Sequence, residues 1–235
     1  MTTIAVIMAA GRGTRMKDLS NNKPKHLLSV LGRPFLDYII ERLRSAGLKE
    51  IIIVTGYQNH AFVPYRGIPD IRLIEQHRFH ERYGTAAAVE NVKNAVGNRP
   101  FVVVAGDNLY SVKDLTKMTI ETPSTWIGGY RTAAWQGMGI LKLKDDGSLD
   151  RIIEKPKTFV GDLINASLYH FTPEIFDVIE LLEPSPRGEY EITDAINLIA
   201  EQESVNVFEL EDRWLDLTSP DDIGKIEKAL KQKAA

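Results

Sequence analysis

The sequence predicts an α/β fold of three layers, with helices on both faces of a central, mostly parallel mixed sheet, and three observations lead there. Runs at residues 4–8, 50–55, 71–75 and 101–105 are rich in Ile and Val and too short for helices. Nearly unbroken apolar character is how a strand buried on both faces reads. Between the first two runs Leu36, Ile39, Ile40 and Leu43 recur at helical spacing, and the pattern stops at Ala46-Gly47, glycine being a common helix stop. Strands alternating with helices in this way form a parallel sheet wrapped on both sides. Third, 235 residues with 43% hydrophobic and 26% charged side chains are enough, and ordinary enough, to bury a sizeable core.

The remaining elements follow in order. Residues 85–96 are alanine-rich, end before Gly97 and read as one helix. After residue 122 the pattern changes: 125–130, 139–144, 151–154 and 163–171 read as strands, with Asp145-Asp146-Gly147 as a hairpin turn. Helices are expected over 173–182 and 191–202, and strands over 205–210 and 214–217. Ser219-Pro220-Asp221-Asp222 opens a last helix running to Lys233: serine caps, proline takes the first turn, and two acids face the helix dipole. There is no internal repeat and no low-complexity linker, so residues 1–235 are expected to form one domain. Its first half would span 1–122, with an inserted mixed-sheet half over 123–235.

Composition excludes several classes. The chain has no cysteine, which removes disulfides and thiolate metal sites and fits a reducing compartment. A formal net charge of −3 argues against general nucleic-acid binding. The apolar start lacks a basic leader region, and no run approaches the ~20 apolar residues that cross a bilayer. A cytoplasmic protein with neither nucleic-acid nor membrane partners is expected. The five histidines show no metal-ligand spacing, and His77 and His80 read as surface residues.

One stretch departs from bulk composition. From Gly11 to Lys25 the bases Arg12, Arg15, Lys17, Lys23 and Lys25 face the single acid Asp18, directly after the first strand. In an α/β sheet that loop lies at the carboxyl edge, where ligands bind. Glycines at 11 and 13 let backbone amides approach an anion closely. No Gly-Lys-Ser/Thr follows, so this is not a P-loop. Met16 replaces the third glycine of a dinucleotide fingerprint.

The order Ala9-Ala10-Gly11-x-Gly13-Thr14-Arg15-Met16, then Pro24-Lys25-x-Leu27-Leu28, resembles the signature of the sugar-1-phosphate nucleotidylyltransferases. The resemblance continues through Gly84-Thr85-Ala86, Gly106-Asp107-Asn108, Glu154-Lys155-Pro156 and Leu163-Ile164-Asn165-Ala166. It ends with Gly188-Glu189-Tyr190-Glu191-Ile192-Thr193-Asp194 and Trp214-Leu215-Asp216. It is nearest the glucose-1-phosphate thymidylyltransferases and archaeal-type sugar-1-phosphate uridylyltransferases. It implies a Rossmann-like sandwich that transfers a nucleotidyl group from a nucleoside triphosphate, UTP or dTTP, to a hexose-1-phosphate with release of pyrophosphate.

The resemblance also implies roles. Arg15 and Lys25 would neutralise phosphate charge. Ala9, Ala10, Gly11, Gly13, Thr14, Gln76, Gly84 and Thr85 would hold the nucleotide, the last two through exposed amides at a helix start. Asp107 and Asp216, each at a strand end, would bind Mg²⁺ with phosphate oxygens and water, a hard oxygen set that this ion prefers. Gly139, Glu154, Lys155, Asn165 and Arg187 would hold the sugar and its phosphate, while Arg12, Lys17 and Lys23 read as solvated bases.

The pattern leaves base and sugar open, because HRFHERY between Gln76 and Gly84 is longer and more charged than the family's usual connection. Gly137-Met138 also stands where Tyr-Gly is common, and Ala87 where relatives often carry another residue. A cytidylyltransferase for phosphocholine or inositol phosphate therefore remains an alternative, as does a catalytically silent nucleotide-sugar-binding module. A homo-oligomer is compatible with the family, although no patch in the chain marks an interface. The sequence shows no hexapeptide repeats of a C-terminal β-helix, so a second, acyltransferase activity is not expected.

Overall fold

The first Ile/Val run forms β1 (Ile4–Ala9), followed by a small hairpin of β2 (Ser29–Val30) and β3 (Arg33–Pro34) and by α1 (Phe35–Ser45). Next come β4 (Glu50–Thr55), β5 (Ile71–Glu75), the short helices α2 (Thr85–Glu90) and α3 (Lys93–Val96), and β6 (Phe101–Ala105). This computed structural model describes residues 1–13, 16, 23–77 and 82–233. Strands β5, β4, β1 and β6 lie side by side and are all parallel. Their side chains alternate between two cores: Ile4, Val6, Ile52, Val54 and Val103 face one, and Ala5, Ile7, Ile51, Ile53 and Val102 the other. Both faces being buried is why β1, β4 and β6 carry no alternating polar residues, whereas the edge strand β5 exposes Arg72 and Glu75.

The chain continues through β7 (Asn108–Leu109), α4 (Val112–Lys117), β8 (Trp126–Arg131), β9 (Gly139–Leu143), β10 (Leu149–Glu154) and β11 (Leu163–Phe171). It closes with α5 (Ile175–Glu180), α6 (Ile192–Gln202), β12 (Asn206–Glu209), β13 (Leu215–Asp216) and α7 (Pro220–Lys233). The nine-residue β11 joins the parallel strands to β8 and β9. Its end, Leu168–Phe171, pairs antiparallel with β6, while Leu163–Asn165 pairs with β8 and Ile164 with Ile140 of β9. Among the described residues the main sheet thus has nine strands in the order β10-β9-β11-β6-β1-β4-β5, with β8 on β11 and β12 on β8. α1 packs on one face; α2, α3, α5 and α6 pack on the other. This is the three-layer α/β sandwich with a mixed sheet that the sequence predicts. Among the described residues no helix is long and apolar enough to cross a membrane.

One helix differs from expectation. Residues 85–96 break at Asn91-Val92 into α2 and α3. The Asn91 carboxamide donates to the Ala87 carbonyl at 2.6 Å and accepts the His77 amide at 2.9 Å. A side chain that competes for the backbone in this way interrupts a helix ladder, and Val92 N–H then bonds back only three residues, to the Val89 carbonyl at 3.0 Å.

Candidate active site

The carboxyl ends of the parallel strands share one edge, and a cleft of about 330 Å³ opens there. Met8, Ala10 and Gly11 enter it from the end of β1, and Asp107 follows β6. The Gly106 amide donates to the Met8 carbonyl at 3.0 Å, which sets Asp107 beside the first loop. Lys25 lies in a short 3₁₀ turn (Lys25–Leu27), and its methylenes run along Gly13, whose φ is +63°. The Lys25 ammonium forms an ion pair with Asp107, both side chains being mostly buried.

Asp216 meets Asp107 because β7 and β13 form a two-strand ladder. Asp216 is the register partner of Asn108, and the Leu217 amide donates to the Asp107 carbonyl at 2.8 Å. The two carboxylates sit in unlike fields. Burial raises the Asp107 pKa, but the nearby Lys25 charge and hydrogen bond outweigh it and hold the group below the usual carboxylate range. Burial and then the negative charge of Asp107 push Asp216 up to about 6, although the Thr218 hydroxyl donates to it. Two hard oxygen donors that repel each other fit a divalent cation such as Mg²⁺. Among the described residues no group of three or more His, Cys, Asp or Glu gathers as a ligand set, so this pair would need oxygens from substrate and water to complete a coordination sphere.

The opposite wall comes from β9, β10, β11 and the segment leading into α6. Antiparallel register sets Gly139, the first residue of β9, across from Glu154, the last of β10. A Cβ on Gly139 would fall 2.9 Å from the Glu154 carboxylate, so the absence of a side chain leaves Glu154 its place. Glu154 accepts from Arg187 at 3.5 Å and has Lys155 at 3.6 Å, while Arg187 is held more tightly by Glu191 at 2.6 Å. Burial, with Glu191 nearby, raises the Glu154 pKa. Lys155 has φ +43°, an uncommon conformation for a side-chain-bearing residue, and its amide donates to the Met138 carbonyl at 3.1 Å. A register shift in β11 between Asn165 and Tyr169 turns Asn165 into the cleft, where it donates to the Tyr169 hydroxyl at 2.8 Å and accepts the Ser167 amide at 2.9 Å.

Of the residues expected from the sequence, Ala10, Gly11, Lys25, Gln76, Gly84, Thr85, Asp107, Gly139, Glu154, Lys155, Asn165, Arg187 and Asp216 all line this cleft. Ala9 does not: its side chain is fully buried in the core on the far face of the sheet. Thr14, Arg15 and Lys17 lie outside the described residues, as does the 78–81 part of the charged segment, including His80. His77 is exposed, as expected of a surface residue. Lys23 is exposed as well, and Arg12 is exposed but sits over the Tyr83 ring at 5.7 Å.

Gly84 also takes part in the packing of the cleft walls. The Ala86 amide at the start of α2 is taken by the Tyr190 carbonyl at 2.9 Å, the Tyr190 amide donates to the Tyr83 carbonyl at 2.8 Å, and the Ile192 amide to the Thr85 hydroxyl at 2.8 Å. Gly84 therefore locks two cleft walls together by close backbone approach. Arg82 stacks 4.0 Å above the Tyr190 ring and reinforces the contact.

Residues given no role from sequence also line the cleft, among them Tyr83, Asn108, Glu189, Glu191, Thr193 and Trp214. Thr193 is 7% exposed, and its hydroxyl has no hydrogen-bond partner among the described residues. Most of these stand inside the quoted motifs, but only the fold shows which of them turn inward.

The chain matches the nucleotidyl transferase family model over residues 4–233. It is 31% identical to the bifunctional sugar-1-phosphate nucleotidylyltransferase/acetyltransferase of Sulfurisphaera tokodaii, over 95% of this chain and 54% of that protein. It therefore spans about half the length of that relative. It is 30% identical to the UTP–glucose-1-phosphate uridylyltransferase AglF of Haloferax volcanii, over 97% of this chain and 96% of that one. A crystal structure of UDP-glucose pyrophosphorylase complexed with UDP-glucose superposes with a TM-score of 0.85 at 22% identity, covering 99% of this chain and 100% of that one.

Proposed function

This chain belongs to the nucleotidyl transferase family, among the sugar-1-phosphate nucleotidylyltransferases, and we propose that it transfers a nucleotidyl group from UTP or dTTP to a hexose-1-phosphate, releasing pyrophosphate. The observation that carries the reading is one cleft that unites Lys25, Asp107 and Asp216 on one side with Glu154, Lys155, Asn165 and Arg187 on the other. In this reading residues 1–122 bear most of the nucleotide site and residues 123–235 most of the sugar site.

The chemistry needs little from the protein beyond positioning and charge. A phosphate monoester has its second pKa near about 6, so the attacking oxygen is already ionised at neutral pH and no general base is required. What opposes reaction is the repulsion of two polyanions. Lys25 brings its ammonium to the triphosphate, and Arg15 in the same loop is assigned the leaving pyrophosphate, its planar fork suiting two oxygens at once. Asp107 and Asp216 would hold Mg²⁺, which when bound neutralises phosphate charge and orients the triphosphate for in-line attack. Glu154 accepts from sugar hydroxyls, Lys155 faces the sugar phosphate, and Glu191 steadies Arg187 for the same anion.

A pyrophosphate-release assay of five nucleoside triphosphates against hexose-1-phosphates, phosphocholine and inositol phosphate, with and without Mg²⁺, tests the proposal. Signal with a pyrimidine nucleotide and a hexose-1-phosphate, dependent on Mg²⁺, is expected. Turnover with phosphocholine alone would overturn the sugar assignment.

A further inference from the structure

The Asn108 side chain is 4% exposed and lies between the two aspartates. Its carboxamide faces two carboxylate oxygens on one side and the Trp214 indole N–H on the other. Only one orientation pairs donors with acceptors: the NH₂ group donates to Asp107 Oδ1 at 3.0 Å and Asp216 Oδ1 at 3.2 Å, and the oxygen accepts from Trp214 Nε1 at 3.0 Å. In the reverse orientation the NH₂ group donates to the Ala166 carbonyl at 3.3 Å, which the Tyr110 hydroxyl also serves at 2.8 Å. It also leaves an amide oxygen against two carboxylates. A buried polar group settles where its partners are satisfied.

We propose that Asn108 is a positioning residue that fixes the spacing and orientation of the two metal-binding carboxylates, and that Trp214 locks the Asn108 amide in the orientation this requires. The inference rests on the metal role assigned above to Asp107 and Asp216. The geometry is a chain in which each link has one function. β7 and β13 set Asn108 opposite Asp216 by backbone pairing. The carboxamide then spends both N–H donors on one oxygen of each carboxylate. The indole, itself packed against the Tyr130 ring at a centroid distance of 5.7 Å, prevents the amide from turning over. Hydrogen bonds that orient ligating carboxylates tune metal affinity, and losing one typically costs about 10–100-fold.

The test is Mn²⁺ binding to the purified chain without nucleotide, followed by the electron-paramagnetic signal of the free ion. Asn108→Leu, similar in size but without donors, is expected to weaken Mn²⁺ binding by about 10–100-fold while leaving a cooperative thermal transition. Trp214→Phe is expected to weaken it by a smaller factor, and Trp214→His, which keeps a ring N–H, to recover most of that loss. In the Asn108→Leu background, Trp214→Phe should cost nothing further. Mn²⁺ affinity unchanged in Asn108→Leu, or additive losses in the double variant, would overturn the proposal. Should Asn108→Leu fail to fold, Asn108→Ser, which offers a single donor, carries the same comparison. Because binding is read without turnover, a wild-type chain that holds Mn²⁺ but releases no pyrophosphate would refute the proposed activity and leave this inference standing.

Discussion

Replacing Gly84 with alanine tests how the two cleft walls are joined. Gly84 has φ 135° and ψ 177°, a region essentially restricted to glycine. An added Cβ would collide with the Tyr190 carbonyl oxygen and lie 2.6 Å from its nitrogen and 2.8 Å from its carbonyl carbon. All three atoms are backbone, so no rotamer change can relieve the contact. The conformational strain is about 1–3 kcal/mol. The forced separation also breaks two hydrogen bonds, Ala86 N–H to Tyr190 and Tyr190 N–H to Tyr83, at about 0.5–1.5 kcal/mol each. The total is roughly 2–6 kcal/mol, a large share of the ~5–15 kcal/mol that holds a typical domain together. At about 2–4 °C per kcal/mol for a chain of this size, the thermal midpoint should fall by roughly 10 °C. Calorimetry measures it, with Gly47→Ala as control. Gly47 also has positive φ, at 90°, but open space around its Cβ, so its replacement should cost only about 1–2 kcal/mol. If Gly84→Ala melted within a degree or two of the parent, or no lower than the control, the close-approach account would be refuted.

Other outcomes follow from the same geometry. Asp107→Asn is expected to lower kcat at least about a hundredfold through lost charge stabilisation, with circular dichroism unchanged; near-normal turnover would remove its metal role. Arg187→Ala leaves Glu154 and Glu191 without their shared cation, so KM for the hexose-1-phosphate should rise roughly tenfold with KM for the nucleotide unmoved, as steady-state kinetics would show. His26 is buried, and burial followed by Lys25 lowers its pKa from 6.5 to about 3. Between those values the unfolded chain takes up a proton that the folded chain refuses, so the contribution of His26 to stability is full above pH 6.5 and is lost as pH falls towards 3, by up to a few kcal/mol. Urea midpoints measured from pH 7 to 4 should therefore fall more steeply for the parent than for His26→Gln; parallel slopes would discount the histidine.

Much of the fold was legible because its signals are local. Four Ile/Val runs announced the parallel strands, with β4, β5 and β6 bounded as expected and β1 one residue longer. Leu36, Ile39, Ile40 and Leu43 are all buried on the inner face of α1. The break at Asn91 was not legible, since it depends on the His77 amide arriving from a different segment. In the candidate site, the placement of Asp107 at the edge could be read from the buried run before it. The resemblance implied its pairing with Asp216, but not its ion pair with Lys25 or its contact with the Asn108 amide.

By itself the sequence determined which stretches become strands and helices, and that a basic glycine loop and an aspartate would end up at one sheet edge, because hydrophobic periodicity acts over a few residues. Only the tertiary structure decided that Asp216 would face Asp107 across the β7–β13 ladder, that Tyr190 would press its backbone onto Gly84, and that Arg187 would lie between Glu154 and Glu191. Those meetings join residues far apart along the chain or on different loops. Strand register and close packing select them, and both are properties of the assembled core that no short window of sequence contains.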